Sequence, residues 1–395
     1  MPAFNPREVI PPAYQGREQA YIKHLLLEGY LERLLYIIGW NASQLGHSEV
    51  VYVDCFAGPW QDESEDLSAT SIGISLRLLS KIRNALAKAG KQVTFKAVYV
   101  ENNRSAFVRL NNYLSTNSPA NVPTAAIRGD FCEKIPEILM QCPSDSFAFF
   151  FIDPKGWSTV KPSILDSLLK RPRSEFLINF MFDFVNRTVS ISQYQSEMAE
   201  LFDQEINVED LPEDPGAREK YILDLYRSAI VSRAKTPRYS ALSGYVTILD
   251  PLKNRTKYHL IYLTRHPLGI IEFMEQSEKL SPVQDTVRTE AKINRKNENS
   301  GTIDMFGADA NQPIEKMVNW NELENYWSEK IGEKILIVTQ EVFAHALCDT
   351  NAFPSELQQA LKNLIEQKIV INLDAASKRR KYFVDYNKKE RLSRK

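Results

Sequence analysis

Five short, predominantly apolar runs mark the first half of the chain: Val50–Cys55, Val93–Val100, Pro123–Ile127, Phe147–Ile152 and Phe176–Met181. Stretches of helical periodicity separate them, near residues 71–89, 103–116, 131–141 and 160–170. A strand without polar alternation has no face to give to water. It belongs inside a sheet covered on both sides, and strands regularly separated by helices run parallel. Two further runs, Gly244–Leu249 and Tyr258–Thr264, are joined by about eight residues that include Pro251 and Asn254. No crossover helix fits in that length, so these two strands pair antiparallel.

Five βα units closed by an antiparallel hairpin predict an α/β fold of the Rossmann-like class I methyltransferase type. Residues 17–40 carry a helical apolar stripe, which predicts an added helix on the sheet, and residues 187–240 predict a helical insertion before the hairpin. This first domain spans 1–283. Residues 284–317 are polar and lack sustained periodicity, which predicts a linker. Apolar patterning returns over 318–386, and 387–395 read as a basic tail.

Composition narrows the setting. Cys55, Cys132, Cys142 and Cys348 are widely spaced with no C-x-x-C pair, which argues against a disulfide framework or a zinc cage. The five histidines show no ligand spacing, so no metal site is expected. The first residues lack a basic stretch followed by an apolar core, and no run approaches the ~18 apolar residues of a membrane span. A cytoplasmic protein with no membrane association is the expectation.

Candidate site residues fall at the strand ends, where open α/β sheets bind their ligands. The first run ends in Asp54, followed by Phe56-Ala57-Gly58 and then Trp60. Glycine there lets backbone approach a ligand that a side chain would exclude. This loop reads as the first cofactor loop, with Asp54, Phe56 and Gly58 near the methionine end of S-adenosylmethionine. The loop resembles the Asp-x-Phe-Ala-Gly-x-Gly of amino-methyltransferases, with Trp60 at the position of the second glycine. The second run ends in Glu101, a carboxylate placed to accept the ribose hydroxyls, although Asn102 and its neighbours also suit a helix cap. The third ends at Asp130 and Phe131, which suit the adenine ring or, for Asp130, a cap.

The fourth run leads into Asp153-Pro154-Lys155-Gly156-Trp157. The stretch resembles the Asp-Pro-Pro-Tyr type of loop of amino-methyltransferases, with Lys155 in place of the second proline and the aromatic one residue late. The resemblance implies that Asp153 and the Pro154 carbonyl accept hydrogen bonds from a target amine and that Trp157 stacks on an extruded base. The alternative is a plain turn with Trp157 covering the sheet edge. In the fifth run Asn179 reads as satisfied by the neighbouring strand or loop, while Asp183 and Asn186 are candidates for substrate contact.

The pieces VDCFAGPW (53–60), VENN (100–103), GDF (129–131), FFFIDPKGW (149–157), INFMFDFVNR (178–187) and YHLIYLTRHPLGIIEFM (258–274) together resemble the three-Cys-motif partner (TcmP) proteins, a bacterial family, over about residues 15–280. The C-terminal segment resembles the winged-helix ending that often accompanies that family. The resemblance implies a methyltransferase-like domain and a partner protein that bears three cysteines and looks like a radical S-adenosylmethionine enzyme.

Residues 318–386 predict a winged helix: helices over Leu323–Ile331, Thr339–Leu347 and from Pro354, then strands Lys368–Leu373 and Lys381–Tyr386 around a basic turn. DNA or RNA contact would fall to the outward positions Ser355, Gln358, Gln359 and Lys362 and to Lys378, Arg379, Arg380 and Lys381. Residues 378–395 hold nine basic and two acidic residues, net +7, within a chain of net charge −1. Docking of a protein partner is the alternative reading. At the level of the whole chain three readings stand: an S-adenosylmethionine-dependent methyltransferase acting on an amine of a nucleic acid or an associated substrate, a non-catalytic adaptor that kept the fold and docks a partner enzyme, and a DNA-binding module that regulates or targets that partner.

Overall fold

The computed structural model describes residues 10–46, 49–58, 67, 69–237, 240–300, 318–375 and 384–395. Helix α1 (Glu18–Trp40) and the single turn α2 (Ala42–Leu45) precede β1 (Glu49–Asp54). Then follow α3 (Ser71–Lys88), β2 (Thr94–Glu101), α4 (Arg104–Asn117), β3 (Thr124–Arg128), α5 (Phe131–Met140) and β4 (Phe147–Ile152). The chain continues through α6 (Pro162–Lys170), β5 (Ser174–Phe180), α7 (Phe182–Thr188), α8 (Gln195–Phe202) and α9 (Pro215–Ala234). The hairpin β6 (Leu242–Leu249) and β7 (Thr256–Thr264) completes a sheet of order β3-β2-β1-β4-β5-β7-β6.

β1 to β5 run parallel, and β7 lies antiparallel between β5 and β6. This is the class I methyltransferase sheet that the apolar runs predict. The chain steps outward from β1 to β3, then returns to place β4 on the other side of β1. Open α/β sheets bind their ligands at such a reversal, here the carboxyl ends of β1 and β4.

Double-sided burial explains the apolar strands. On β4, Phe149 and Phe151 join the core under α1 and α3, while Phe150 and Ile152 join the core under α5, α6 and α9. α1 forms because Ile22, Leu26, Leu27, Tyr30, Leu31 and Leu34 share one helical stripe, all buried. A polar clamp adds to this contact. Glu175, itself buried on β5, accepts hydrogen bonds from Tyr30 (2.8 Å) and Thr264 (2.8 Å), and Tyr262 contacts the Tyr30 hydroxyl. Burial pushes the Glu175 carboxyl above its ordinary range, against these hydroxyl donors.

Two boundaries differ from the sequence reading. Helix α10 (Pro267–Ser300) continues through the first half of the predicted linker. Leu280, Val287 and Ala291 are buried at helical spacing, and the guanidinium of buried Arg288 donates to the Asp250 carbonyl (3.1 Å) in the hairpin turn. Around them most described positions between 281 and 293 are polar and half-buried, so the stripe is sparse. Composition alone hid that stripe. Residues 301–317 lie outside the described residues.

The second difference is at the C-terminus. After α10 come α11 (Trp320–Ile331), β8 (Leu336–Ile337), α12 (Gln340–Thr350), α13 (Pro354–Glu366), β9 (Val370–Asn372) and β10 (Arg391–Arg394), with small-sheet order β8-β10-β9. The central strand therefore lies within the predicted tail, and Val384–Tyr386 form no strand. Leu392 is fully buried, and Glu390 accepts from Asn372 (2.9 Å) and from the Asp385 N–H (2.9 Å). A four-residue strand with one buried leucine and arginines at both ends looks like a tail in sequence. The whole unit packs on α10: Ser355 donates to Glu278, and Arg227 of α9 donates to the Cys348 carbonyl (2.9 Å).

Candidate functional site

Four acids stand at the carboxyl ends of four adjacent strands, in the spatial order Asp130, Glu101, Asp54, Asp153. The loops that carry them are stitched to neighbouring strands. The Cys55 N–H donates to the Phe151 carbonyl (2.9 Å), Ala57 N–H to Val100 (2.9 Å), and Gly129 N–H to Glu101 (3.1 Å). Gly129 sits at φ +143°, where a Cβ would lie 2.6 Å from the Lys134 side chain, so this turn requires glycine. The turns bring the Phe56 and Phe131 rings to 5.0 Å, an apolar corner beside the acids.

Asp54 is fully buried, and its Oδ1 accepts the Phe56 N–H (3.1 Å). Among the described residues its Oδ2 has no hydrogen-bond partner. Burial pushes this carboxyl up to about 6, against the nearby Ser71 hydroxyl and the Phe56 N–H. A buried carboxylate oxygen left unpaired costs free energy unless something donates to it. Glu101 is also buried and accepts the Asn103 N–H. Burial raises its pKa, opposed by that N–H and by the positive charge of Lys155. Lys155, in the loop after β4, thus acts across β1 on the end of β2. Asp130 caps α5 through the Cys132 N–H (2.9 Å), so the capping role foreseen for it is realised. Gly58 ends the described part of the first loop, and Trp60 lies outside the described residues.

Asp153 is not free to meet an incoming amine. Its carboxylate forms an ion pair with Lys23 of α1 and accepts a hydrogen bond from Asn179 Nδ2 (2.6 Å). Asn179 therefore finds its partner at the strand end, and its own Oδ1, buried, is left without one. The Tyr258 ring lies 5.9 Å from the Lys23 ammonium and is held to α1 by its hydroxyl on the Gln19 carbonyl (2.7 Å). The buried Tyr52 hydroxyl, also unpartnered, is raised by burial and by Asp54, with a smaller contribution from Asp153. Sequence reading missed Lys23, Tyr52 and Tyr258. Lys23 carried a signal: it precedes Leu27, Tyr30 and Leu34 by 4, 7 and 11 residues and so occupies the buried stripe of α1.

Other expectations are redistributed. Trp157 is half-buried against the core under α6 and α9, with Lys161 over its ring at 5.8 Å. Pro154 follows Asp153 and is buried. Asp183 pairs with Arg255 (3.0 Å), and Asn186 accepts from Arg218 (2.9 Å), both as internal ties of α7. On α13, Gln358 does not face outward: it clamps the Val384 backbone through both amide atoms (2.9 and 3.1 Å). Gln359 donates to Asn363 (2.8 Å), and Lys362 lies 4.0 Å from Glu366. Lys378, Arg379, Arg380 and Lys381 lie outside the described residues. Among the described residues there is no cluster that could hold a metal ion, and no helix is long and apolar enough to cross a membrane.

No known family matches the sequence, and no curated protein matches it. Among solved structures the chain is similar to an O-methyltransferase from Bacillus cereus in complex with SAH, at 13% identity over 61% of this chain and 80% of that one, with a TM-score of 0.32. It is also similar to M. jannaschii TYW2 in complex with AdoMet, at 13% identity over 57% and 73%, TM-score 0.26. A third is precorrin-6y C5,15-methyltransferase from Geobacter metallireducens, at 11% identity over 57% and 87%, TM-score 0.26. Likeness at this level carries no substrate information, so the site's chemistry is read from this chain's own residues.

Proposed function

We propose that this chain is an S-adenosylmethionine-dependent methyltransferase whose acceptor is an amine. The observation that carries the reading is the unpaired, buried Oδ2 of Asp54 at the switch point of the sheet, flanked by Glu101 and the Phe56–Phe131 corner. Asp54 and the Gly58 loop would hold the charged methionine end, Glu101 the ribose, and Asp130 with Phe131 the adenine. The donor set fits: an acid for a cationic group, an acid for a diol, and rings for a flat base. When bound, the cofactor supplies an electrophilic methyl group. The protein's part is alignment, which turns a two-body encounter into a local one. Asp153 and Asn179 would orient the acceptor nitrogen once Lys23 withdraws, and Asp153 would take its proton.

The resemblance to the three-Cys-motif partner proteins supports a second reading, an adaptor for a radical S-adenosylmethionine-like partner. One observation favours it: Ile335, Ile337, Ile369, Ile371 and Leu373 are exposed together on and beside β8 and β9. An apolar patch of this kind suits protein docking better than phosphate contact. The two readings separate in an assay with methyl-labelled cofactor and an amine acceptor pool that includes nucleic acid. Transfer by the wild type, lost in Asp153→Asn with cofactor binding kept, supports the enzyme. Cofactor binding with no transfer, alone or with the partner, leaves the adaptor.

A further inference from the structure

We infer that the outer face of the C-terminal sheet is a docking site for an amphipathic helix of a partner protein, aliphatic along one stripe and acidic beside it. The inference rests on the docking reading of that face, not on methyl transfer, and names what docks there.

The pairing register puts the exposed aliphatics on one side of the sheet. Arg391 lies opposite Ile337 and Ser393 opposite Ile371, while Leu392, opposite Leu336 and Asn372, turns inward and is fully buried. Side chains alternate along a strand, so Ile335 and Ile337 form one outer column and Ile369, Ile371 and Leu373 another. Arg391, Ser393 and Lys395 stand between them, which puts a short side chain at the centre of the face. The five aliphatics are 36–54% exposed.

One end of this face is basic. By the same register Lys334, Lys368, Arg394 and Lys395 lie there, all exposed, and none has an ion pair among the described residues. Glu333 adjoins them, and Glu366 faces Lys362 (4.0 Å), so the end keeps a net positive charge. At the other end Arg391 is already paired with Asp374 (2.7 Å). Size and charge together select the occupant. Three strands span about 10 Å and five residues about 13 Å, the footprint of one helix about ten residues long. A stable contact between two copies buries roughly 800 Å² on each, well beyond a face of this size. A membrane surface is anchored by Trp and Tyr, and the face carries neither. The free cations at its end call for acids on the helix.

The test is fluorescence anisotropy with the full chain and a labelled helical peptide of about 18 residues, with leucines at i, i+3, i+4 and i+7 and glutamates beside them. Wild type should bind it with a dissociation constant on the order of 10–100 µM. The same helix with lysines for glutamates should bind at least about fivefold more weakly, as should the glutamate helix to Lys334→Glu/Lys395→Glu. Ile337→Thr/Ile371→Thr keeps β-branched residues on an exposed face, so it should melt within about 2 °C of wild type yet bind about tenfold more weakly. Tighter binding of an extended peptide of alternating leucine and glutamate, lost in that threonine variant, would overturn the helix and keep the docking reading. Self-association of wild type in sedimentation, or binding to phosphatidylcholine–phosphatidylglycerol vesicles, lost in the same variant, would put a second copy or a membrane there instead. Binding to none of these would overturn both the inference and the docking reading.

Discussion

At the scale of single residues, Asp54 makes the most specific claim. Burial raises its pKa, so the folded protein holds the proton more tightly than the unfolded chain does. Its contribution to stability is present below the ordinary carboxylate range and is lost as pH rises through about 6. A cation bound at Oδ2 reverses the preference, because it favours the ionised acid. Affinity for S-adenosylmethionine should therefore fall as pH drops below about 6, by up to about tenfold per pH unit, and Asp54→Asn should flatten the profile. Calorimetric titrations between pH 5 and 8 read this directly, and a pH-independent affinity in the wild type would remove Asp54 from the site. Asp54 and Glu101 were legible in sequence because an acid that ends an apolar run is conspicuous. Lys23 was harder to read: its place on the apolar stripe was visible, but a lysine stem satisfies such a stripe almost as an apolar residue does, and its partner is distant in the chain. Asn179 was read as satisfied; what sequence could not show is that its partner is Asp153.

At the scale of elements, α1 is held to the sheet by packing and by the Tyr30–Glu175–Thr264 clamp. Tyr30→Phe removes one donor from a buried carboxylate while keeping the ring, and should cost about 1–3 kcal/mol in urea unfolding. Thr264→Val should act similarly, and the double variant should fall short of the sum, because both hydroxyls serve one acid. Additive losses would mean that the clamp is two independent contacts. The strands were readable from sequence since burial on both faces leaves an unbroken apolar mark. The end of α10 and the whole of β10 were not. One is stabilised by a sparse stripe on a polar helix, the other by a single leucine and a buried glutamate. Both depend on partners distant in the chain, which no local pattern records.

At the scale of the molecule, the small C-terminal unit does not hang on a tether. Its helices share a continuous apolar core with α1 and α10, and β10 completes its sheet. Deleting residues 387–395 should therefore expose Trp327 and Phe343 and open this unit to limited proteolysis; a dispensable tail would leave the digestion pattern unchanged. Some of the basic charge in this segment is already spent inside the fold, since Arg391 forms a salt bridge with Asp374 (2.7 Å). The net +7 counted from the sequence thus overstates what a phosphate backbone would meet. What unites the molecule is the switch point of the sheet, where Asp54 and Asp153 end adjacent strands and Lys23 of α1 reaches Asp153. Isothermal titration of the full chain with S-adenosylmethionine at pH 7.5 tests that claim most directly. Saturable one-site binding, weakened at least about tenfold by Glu101→Ala, is the expected result. No heat from the wild type, or binding that Glu101→Ala leaves unchanged, would contradict it.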